Sequence, residues 1–593
     1  MTNLPLSRRQ FIASTALGAA VCSSPWSALS AHHEGRKPNV LLVITDDQGW
    51  GDVRSHGNPQ IDTPTMDSLA ADGARFERFY VSPVCAPTRA SLLTGRYHIR
   101  TGVTGVTRNL ETMDAEETTF AEVFREAGYA TGCFGKWHNG AHYPQHPNGQ
   151  GFEQFFGFCA GHWNNYFDTT LERNGKFEKT KGFISDVITD EAIRFIGTNK
   201  DKPFFCYVPY NAPHSPWQVP DKYFNKYKAK GLDDTTACAY AMCENLDDNI
   251  KRMLDSLEQN NLSDNTIVIF MTDNGPNSDR YNGGMRGRKG SVDEGGVRVP
   301  CFVRWPGKIK PGTKIPYQSA HIDMLPTLMN LCGIESTDPK PIDGSDVSNW
   351  LTGESNQAID RMLFHTWGGR GSVRHDRWLA ICERNGSFRL YDMKSDPQQK
   401  QDVAEQYPDK LKQYQEAYQK WYQEVSNRDL ESDPISIGYH EMDEVVMPGH
   451  EALLSPPSKE GISYLGSNGW ANDYVTNWTS LEAYPFWDVE VVSAGEYEIS
   501  IQYICSKSNV GSEFQVEIGG QAITGKITKT HNPPHIPSPD RVMRKEVFEK
   551  VWQPLKVGVV DLEPGRTKLA VKALSKPGAQ VMDLKAVVVK KIK

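Results

Sequence analysis

The sequence has no long run of lysine or arginine, and the chain is acidic overall. Of its 593 residues, 65 are Lys or Arg and 73 are Asp or Glu, which gives a formal net charge of −8. A nucleic-acid-binding protein needs a basic surface, so we expect no nucleic-acid partner. A polyanionic substrate would be attracted only by local positive charge at its binding site.

The chain also has no solenoid-type internal repeat and no long low-complexity segment. Its 38% hydrophobic and 23% charged residues are typical of a soluble globular protein. Because 593 residues exceed the size of one compact core, we expect two or three domains.

No segment is apolar enough over a sufficient length to predict a transmembrane helix in the mature chain. Residues 1–31 instead have the pattern of an export signal, in which Arg8 and Arg9 precede a short Ala-rich stretch and small residues follow. We predict a twin-arginine signal that is cleaved near its end. A lipid anchor on Cys22 is disfavoured because the bulky Val21 precedes it. The mature protein is therefore predicted to be periplasmic or extracellular.

The cysteines outside this signal do not have the spacing of a disulfide framework, although an exported protein could form one. Cys206, Cys332 and Cys382 lie within apolar runs, which is typical of small buried hydrophobic residues. Cys85 differs, because proline, threonine and arginine surround it in the segment SPVCAPTRASLLTGR. This cysteine is the first candidate functional residue.

Two similar segments predict buried strands of a parallel sheet. NVLLVITDDQGWGD (39–52) and NTIVIFMTDNGPN (265–277) each begin with an unbroken apolar run that ends in a Thr-Asp pair. Such runs are typical of strands buried on both faces. Helical patterns at 119–132 and 240–261 lie between them, so we predict an α/β domain with a large sheet sandwiched by helices. Ligands of such domains bind at the carboxyl ends of the strands.

Changes in pattern divide the rest of the chain. The α/β domain is predicted over 37–350, and a small subdomain with an antiparallel sheet follows over 351–426. Residues 427–469 are rich in Asp, Ser, Pro and Gly and are predicted to be a linker. From 470 to 593, apolar residues alternate with polar ones, which predicts an appended all-β sandwich.

Three aspartates and an asparagine follow the two predicted strands. Asp46 and Asp47 end the first strand, and Asp273 and Asn274 end the second. Their oxygen atoms suit a hard cation such as Ca²⁺ or Mg²⁺. The alternative is that both pairs form ordinary strand-terminal turns, where Asp and Asn are common. The occurrence of both pairs on matching strands favours a metal site.

Three histidines spaced four apart, His138, His142 and His146, raise the hypothesis of a helical zinc site. One glycine and two prolines interrupt the segment, so a helix is disfavoured there. We therefore expect no zinc site at these histidines.

Two hypotheses in which Cys85 is a thiol nucleophile are also disfavoured. Cysteine phosphatases place an arginine six positions after the nucleophile, whereas Arg89 is four positions after Cys85, and no papain-like signature is present. Pro87 favours the first turn of a helix that continues to Gly95. Cys85 then lies at the helix start, where free backbone N–H groups and the helix dipole favour anionic chemistry.

The segment around Cys85 resembles the signature of the type I sulfatases, which are members of the alkaline phosphatase superfamily. Thr88 and Asn139 are mild departures from positions where many members have Ser and Leu. The resemblance spans roughly residues 37–425 and implies an alkaline-phosphatase-like fold. Further motifs of this family recur in order at TDDQGWGD (45–52), GKWHNG (135–140), NAPHSP (211–216), TDNG (272–275) and RKGSVDEGGVRVP (288–300).

The resemblance implies that Cys85 is oxidised to formylglycine (3-oxoalanine) by a formylglycine-generating or sulfatase-maturating enzyme. It implies that one Ca²⁺ is held by Asp46, Asp47, the modified residue 85, Asp273 and Asn274. The catalytic residues that it implies are Cys85, Arg89, Lys136, His138, His214 and Lys289.

In the implied mechanism, one hydroxyl of the hydrated aldehyde at residue 85 attacks sulfur. Arg89 stabilises the ionised hydroxyl, and Lys136 and Lys289 bind the sulfate oxygens. His214 protonates the leaving oxygen, and His138 helps the second hydroxyl to expel sulfate. The implied enzyme is a sulfuric ester hydrolase.

Export and the appended sandwich favour a sulfated polysaccharide or oligosaccharide as the substrate. Segments 157–168 and 365–375 either line a sugar-sized pocket or form plain surface loops. Trp470, Trp478 and Trp487 either stack on sugars or pack inside the sandwich. The alternatives for function are a small aryl-sulfate hydrolase, a phosphate or phosphonate ester hydrolase of the same superfamily, and an inactive glycan-binding homologue.

Overall fold

The computed structural model describes residues 36–335, 340–427, 433–466 and 469–593. The predicted export signal, residues 1–31, lies outside the described residues. Every element described below lies in one unit, residues 38–593. Within the described ranges, no helix has the length and apolarity needed to cross a bilayer.

A large mixed sheet forms the centre of the α/β domain. Its described strands are β1 (Asn39–Thr45), β2 (Ala74–Tyr80), β3 (Ala130–Lys136), β4 (Gln154–Phe158), β5 (Thr170–Arg173), β6 (Lys176–Lys179), β7 (Phe204–Pro209), β8 (Thr266–Thr272), β9 (Arg298–Val299), β10 (Cys301–Arg304) and β11 (Thr313–Ala320). Their order is β11-β2-β10-β8-β1-β7-β3-β4-β5-β6, and β9 pairs with β2. The five strands from β8 to β4 run parallel, and the edges are mixed. The predicted parallel strands, β1 and β8, are direct neighbours.

Helices cover both faces of this sheet. They are α1 (Pro64–Asp72), α2 (Cys85–Thr94), α3 (Phe120–Glu126), α4 (Ile184–Thr198), α5 (Asp221–Lys228), α6 (Asp234–Gln259), α7 (Glu294–Val297), α8 (Met324–Cys332) and α9 (Ser348–Thr352). Leu41 and Val43 of β1 share a hydrophobic core with α4 and α6, whereas Val40 and Leu42 share another with α2, α3 and α8. Alternate residues of β1 thus face opposite helix layers, which explains its unbroken apolar sequence. The predicted sheet sandwiched by helices is confirmed.

The helix predicted over 119–132 is shorter in the structure. Thr119 begins α3 with a capping box, because its side chain accepts from the Glu122 amide and the Glu122 side chain accepts from the Thr119 amide. The helix ends at Glu126, and β3 begins at Ala130. Gly128 has a φ of 86° in the turn between them, a conformation that favours glycine. The helical periodicity did not reveal this turn.

A small antiparallel sheet with one helix follows the α/β domain. Its strands, in sequential order, are β12 (Leu363–Trp367), β13 (Arg370–His375), β14 (Trp378–Cys382) and β15 (Phe388–Asp392). Helix α10 (Pro408–Val425) packs on it through the buried side chains of Tyr414, Tyr418 and Trp421. This small sheet agrees with the predicted fold class.

Two further sheets pack against each other as the appended β-sandwich. The first contains β16 (Ile435–Ile437), β18 (Leu453–Ser455), β21 (Tyr484–Val491), β23 (Glu513–Ile518), β24 (Gln521–Lys526) and β26 (Gly565–Ser575). The second contains β17 (Glu444–Pro448), β19 (Ser463–Tyr464), β20 (Val475–Thr476), β22 (Gly495–Ile504), β25 (Gln553–Leu562) and β27 (Asp583–Lys591). Trp478 and Trp487 are buried in the core between the sheets, so these two tryptophans pack inside the sandwich.

The prediction of a linker over 427–469 is wrong for its described part. Strands β16, β17, β18 and β19 all lie in this segment and pair with β21, β27 and β20 of the sandwich. They are two to five residues long and are separated by turn residues. Such short strands contain too few alternating positions to produce a period-two pattern.

Candidate active site

The carboxyl ends of β1 and β8 bring the four predicted metal ligands together. The parallel pairing of the two strands extends to Thr45 and Thr272, so the acidic segments leave the sheet side by side. The Asp47 amide donates to Asp273 Oδ1 at 3.1 Å, and Asn274 Nδ2 donates to Asp47 Oδ1 at 2.8 Å. Asp46, Asp47, Asp273 and Asn274 are all buried.

Helix α2 places residue 85 against this cluster. The helix begins at Cys85 and is terminated by Gly95, whose φ is 68°, as the sequence predicts. Cys85 Sγ lies within 4.8 Å of carboxylate oxygens of Asp46 and Asp273. Burial raises the pKa of the Cys85 thiol, which disfavours a thiolate nucleophile. Thr88 Oγ1 donates to the Ser82 carbonyl at 3.1 Å, so the departure at Thr88 keeps a hydroxyl that holds the helix start.

Two fully buried cationic side chains, those of Arg89 and Lys136, lie among the carboxylates. Arg89 Nη2 is 2.9 Å from Asp273 Oδ2 and 3.8 Å from Asp46 Oδ2, and Lys136 Nζ is 2.5 Å from Asp46 Oδ2. Burial alone would raise the pKa of Asp46, but Lys136, His214 and Arg89 hold it below its ordinary value. Burial and the neighbouring Asp46 carboxylate raise the pKa of Asp273 to about 7. The negative charge on Asp273 is therefore less compensated than that on Asp46.

Lys289 and His214 form the accessible side of the site. Lys289 Nζ is 2.7 Å from Asp47 Oδ1, and His214 Nε2 is 3.7 Å from Asp47 Oδ2. Their side chains are 23% and 15% exposed, whereas those of Arg89 and Lys136 are fully buried. Burial and the charge of Lys289 lower the pKa of His214. The side of the site that is open to solvent is therefore the side where Lys289 and His214 lie.

The loop that carries Lys289 is tied to both halves of the site. The Lys289 amide donates to the Pro276 carbonyl at 3.0 Å, just beyond the segment TDNG (272–275). The Gly290 amide donates to the Pro83 carbonyl at 2.8 Å, just ahead of α2. These two bonds hold Lys289 between the end of β8 and the start of α2.

His138 has one ring nitrogen fixed and the other without a partner. It follows β3 in the left-handed conformation, with a φ of 64°. Its Nε2 is 2.9 Å from the Val106 carbonyl, which can only accept, so Nε2 carries the proton. Its Nδ1 is buried and has no hydrogen-bond partner. Nδ1 is therefore the atom of His138 that can accept a proton.

The other two histidines of the zinc hypothesis lie in different environments. His142 Nε2 is 3.2 Å from Glu451 Oε2 of the sandwich. His146 Nδ1 accepts from the Asn148 amide at 3.2 Å, and its Nε2 therefore donates to Glu172 Oε1, 2.6 Å away. Both nitrogens of His146 are thus satisfied by protein groups, although Cys159 Sγ lies within 4.8 Å of the pair.

Three buried oxygen atoms at the ends of β1 and β8 have no hydrogen-bond partner among the residues that the structure describes. They are Asp46 Oδ1, Asp47 Oδ2 and Asn274 Oδ1. The Asn274 amide nitrogen donates to Asp47 and to the Gly275 carbonyl, so its oxygen is the atom that remains for a ligand. A buried acceptor without a partner costs about 1–3 kcal/mol. Because oxygen is the donor that Ca²⁺ and Mg²⁺ prefer, this set of atoms fits a hard cation.

The structure adds residues that the sequence did not single out. The His162 ring stacks on the His214 ring, with centroids 6.1 Å apart and planes at 5°. The Tyr166 hydroxyl lies within 2.9 Å of the His214 carbonyl and 3.0 Å of the Ser215 carbonyl. His162 and Tyr166 belong to the segment 157–168, whose aromatic and polar composition was the only sequence signal for them.

Asn139 and Trp367, which lie in segments noted from the sequence, are both located beside the site. Asn139 Nδ2 donates to the Ala86 carbonyl at 3.2 Å, so the departure at Asn139 contacts the helix that carries residue 85. Trp367 of the segment 365–375 has its indole nitrogen 3.9 Å from the position that a Cβ of Gly290 would take. The segments 157–168 and 365–375 therefore both contain residues next to site residues.

A family model described as Sulfatase matches residues 38–334. The chain belongs to the sulfatase family. A second model, described as N-sulphoglucosamine sulphohydrolase, C-terminal, matches residues 288–428. Sulfatases are sulfuric ester hydrolases, in agreement with the enzyme class implied by the motifs. Residues 429–593 of this sulfatase, which include every described strand of the sandwich, lie beyond both matches.

Named relatives and a solved structure agree with this assignment. Arylsulfatase J of Mus musculus is 33% identical over 338 residues, which cover 53% of this sulfatase and 56% of the relative. N-acetylgalactosamine-6-sulfatase of Canis lupus familiaris is 30% identical over 380 residues, which cover 58% and 71%. The crystal structure of Ps i-CgsB in complex with k-i-k-neocarrahexaose has 29% identity and a TM-score of 0.63, and the match covers 67% of this sulfatase and 95% of that chain.

Proposed function

We propose that this sulfatase hydrolyses the sulfate ester of a sulfated saccharide and releases inorganic sulfate. The observation that carries the proposal is the buried cluster at the ends of β1 and β8. There, residue 85 lies within 4.8 Å of carboxylate oxygens of Asp46 and Asp273, beside unpartnered oxygens suited to a cation and two buried cationic side chains, and His214 lies 3.7 Å from Asp47. We further propose that the mature enzyme is exported by its twin-arginine signal to the periplasm or beyond.

Residue 85 is the nucleophile in this proposal, as formylglycine and not as cysteine. The hydrated aldehyde would supply one hydroxyl whose oxygen attacks sulfur as the bond to the alcohol breaks, and a second hydroxyl that loses its proton to re-form the aldehyde as sulfate is expelled. Water would then restore the hydrate by adding to the aldehyde. Cys85 is 3% exposed, so the modification must be introduced by a formylglycine-generating or sulfatase-maturating enzyme before the chain folds.

Asp46, Asp47, Asp273 and Asn274 would hold one Ca²⁺ together with residue 85. When bound, the cation offsets the charge of the carboxylates and attracts an oxygen of the sulfate group. The unpartnered oxygens of three of these residues support this assignment.

Three cationic side chains bind the reacting groups. Arg89 is held by Asp273 and by the Lys136 carbonyl, 2.9 Å from each, and would stabilise the ionised hydroxyl of residue 85. Lys136 and Lys289 pair with different aspartates, Asp46 and Asp47, and would bind sulfate oxygens on two sides. Fixed charges in a buried site stabilise developing negative charge without reorganisation.

The two histidines move protons at defined atoms. His214 Nδ1 is 2.6 Å from the Ser215 carbonyl and donates to it, so Nε2 is the atom that protonates the leaving oxygen. His138 donates from Nε2 to the Val106 carbonyl, so its Nδ1 accepts the proton of the second hydroxyl as sulfate is expelled. The exposed side of His214 agrees with a leaving alcohol that faces the solvent.

Several observations support a saccharide as the alcohol. Aromatic residues His162 and Trp367 lie beside the accessible side of the site. Trp470 is 45% exposed, whereas the other two tryptophans considered from the sequence are buried, so Trp470 alone of the three can stack on a sugar. One relative is named for N-acetylgalactosamine 6-sulfate chemistry, and Ps i-CgsB binds a neocarrahexaose.

Mass analysis and a substrate panel test the proposal. The peptide containing residue 85, from protein made in its native host, is expected to have the mass of the aldehyde. Sulfated oligosaccharides are expected to lose sulfate, with inhibition by a calcium chelator and recovery on adding Ca²⁺. Cys85→Ser is expected to abolish turnover, and Cys382→Ser, at a partly exposed cysteine, serves as the matched control.

The same panel separates the alternatives. Exclusive hydrolysis of small aryl sulfates would contradict the saccharide assignment. Faster cleavage of phosphate or phosphonate esters would contradict the sulfatase activity. An unmodified thiol at residue 85 in active protein would contradict the formylglycine mechanism, and glycan binding without any hydrolysis would identify a binding protein.

A further inference from the structure

The β-sandwich reaches the active site through the long connection between two of its strands. Strand β24 ends at Lys526 and β25 begins at Gln553. Within this connection, residues 538–549, here called the docking loop, form hydrogen bonds with two segments of the α/β domain. One of these segments follows His214, and the other contains Asn164.

The docking loop binds the segment that follows His214 at successive positions. Gln218 Nε2 donates to Ser538 Oγ at 2.7 Å and to Asp540 Oδ1 at 2.8 Å. The Arg541 amide donates to the Trp217 carbonyl at 2.8 Å. The Arg541 guanidinium also donates to the Val219 carbonyl, and the Ser215 hydroxyl donates to Glu546 Oε1.

The sandwich also binds the residues that pack on the other side of His214. Arg544 Nη1 donates to the Asn164 carbonyl, and Asn164 Nδ2 donates to Glu549, both at 2.9 Å. Asn472, in another loop of the sandwich, donates to the carbonyl of His162 at 2.9 Å. His162 is the residue whose ring stacks on His214. The sandwich thus forms hydrogen bonds with His162, on which the His214 ring stacks, and with Ser215, whose carbonyl accepts from that ring.

Ser215 connects the docking loop to the chemistry of His214. Its carbonyl accepts from His214 Nδ1 at 2.6 Å and thereby decides that Nε2 faces the site. Its hydroxyl is held by Glu546, 331 positions later in the chain. In the described hydrogen bonds Glu546 contacts neither the cation ligands nor residue 85, so its hydrogen bond to Ser215 is its direct link to His214. Its charge also acts on Tyr166, whose hydroxyl contacts the His214 and Ser215 carbonyls.

We infer that the C-terminal sandwich helps to position the active-site residue His214 and that Glu546 is the positioning residue through which it does so. The inference rests on the proposed function, in which His214 protonates the leaving oxygen. Without Glu546, the Ser215 hydroxyl loses its acceptor and the His214–Ser215 segment gains freedom. A misplaced acid slows only the esters whose leaving group needs a proton, because a good leaving group departs as an anion.

The test compares aryl sulfates that differ in leaving-group ability, from 4-nitrophenyl sulfate to phenyl sulfate. Glu546→Ala is expected to lower kcat about 10- to 100-fold for phenyl sulfate and less than about threefold for 4-nitrophenyl sulfate. Glu546→Gln keeps an acceptor for the Ser215 hydroxyl and is expected to restore most of the loss. Ser215→Ala is expected to reproduce the pattern of Glu546→Ala.

The double variant S215A/E546A is expected to be no slower than either single variant, because both remove the same contact. Glu563→Ala is the matched control, since it removes the same charge from an exposed turn between β25 and β26, and wild-type kinetics are expected. Equal losses across the ester series, a change in KM alone, or additive effects in the double variant would overturn the inference.

Folding is checked by circular dichroism before the kinetics are compared. If Glu546→Ala does not fold, the single variant Ser215→Ala decides the matter, and an equal loss for both esters would overturn the inference. A wild-type enzyme that cleaves no sulfate ester overturns the proposed function and this inference with it. An active wild type with uniformly slowed variants overturns only this inference.

Discussion

Replacing Arg280 by methionine should destabilise the fold and weaken cation binding at once. The side chains of Arg280 and Asp52 are both completely buried. Asp52 lies in the segment that follows β1, and Arg280 lies in the segment that follows β8. Arg280 Nε donates to the two Asp52 oxygens at 2.9 and 3.0 Å, and Nη2 donates to Oδ2 at 2.7 Å. Nη2 also donates to the carbonyl of Asp47, a proposed ligand of the cation, at 2.8 Å. One side chain therefore joins the segments that follow β1 and β8.

The size of the effect follows from the charge that Arg280→Met would leave behind. Removing one partner of a buried ion pair costs about 3–5 kcal/mol, because the other charge stays buried without compensation. Asp52 keeps one donor, the Gly49 amide at 2.7 Å, so we expect a loss near the lower limit, about 3 kcal/mol. With an unfolding entropy of about 2.1 cal/mol/K per residue over 593 residues, Tm should fall by roughly 2–3 °C.

The expected effect of Arg280→Met on Ca²⁺ affinity is larger, in relative terms, than its effect on Tm. Groups that orient metal ligands usually contribute about 10- to 100-fold to metal affinity. We therefore expect Arg280→Met to raise the Kd for Ca²⁺ by a factor in that range. Calorimetric titration of Ca²⁺ into chelator-treated protein, and thermal unfolding with and without Ca²⁺, measure the two effects separately.

Two further variants show whether the reasoning is right. Arg377→Met breaks an arginine–aspartate pair of two hydrogen bonds, with Asp392, in which the arginine is 44% exposed, and should change Tm much less. Asp52→Leu combined with Arg280→Met removes both charges and should recover most of the stability but not the Ca²⁺ affinity. An Arg280→Met protein that melts like Arg377→Met, or binds Ca²⁺ as the wild type does, would refute the argument.

Three other predictions concern separate parts of the molecule. His138→Ala should slow the release of sulfate more than the release of the alcohol, so 4-nitrophenyl sulfate should give a burst of nitrophenol. A slow reaction without a burst would contradict the role assigned to His138. Trp470→Ala should raise the KM for a sulfated oligosaccharide about 2- to 10-fold and leave the KM for 4-nitrophenyl sulfate unchanged. Equal changes in the two KM values would exclude a contact between Trp470 and the sugar. Burial and the Glu451 carboxylate raise the pKa of Glu111 from 4.5 to about 8. The protonated Glu111 therefore contributes its full stabilisation of the fold below pH 4.5, and this contribution is lost as the pH rises from 4.5 through 8. The Tm advantage of Glu111→Gln over the wild type should therefore grow between pH 5 and pH 8 and then level off, and a constant difference would contradict the pKa shift.

Much of the fold and site could be predicted from local patterns. The unbroken apolar runs of β1 and β8 revealed two strands buried on both faces, and their terminal Asp and Asn residues do meet at one sheet edge. Pro87 and Gly95 bounded helix α2, because proline favours a first turn and glycine favours the left-handed termination. The four strands within 435–464 were missed because each is too short to show an alternating pattern.

The sequence by itself determined which chemistry is available, because ligand types, cationic residues and motif order are properties of single short segments. Tertiary structure alone decided how that chemistry is arranged. The proton of His138 is placed by the carbonyl of Val106, and the ring of His214 is held between His162 and a serine bonded to Glu546. Residues 215 and 546 are 331 positions apart, and a hydrogen bond over such a separation leaves no periodic signal in either segment. Only packing of the sandwich on the α/β domain brings them together.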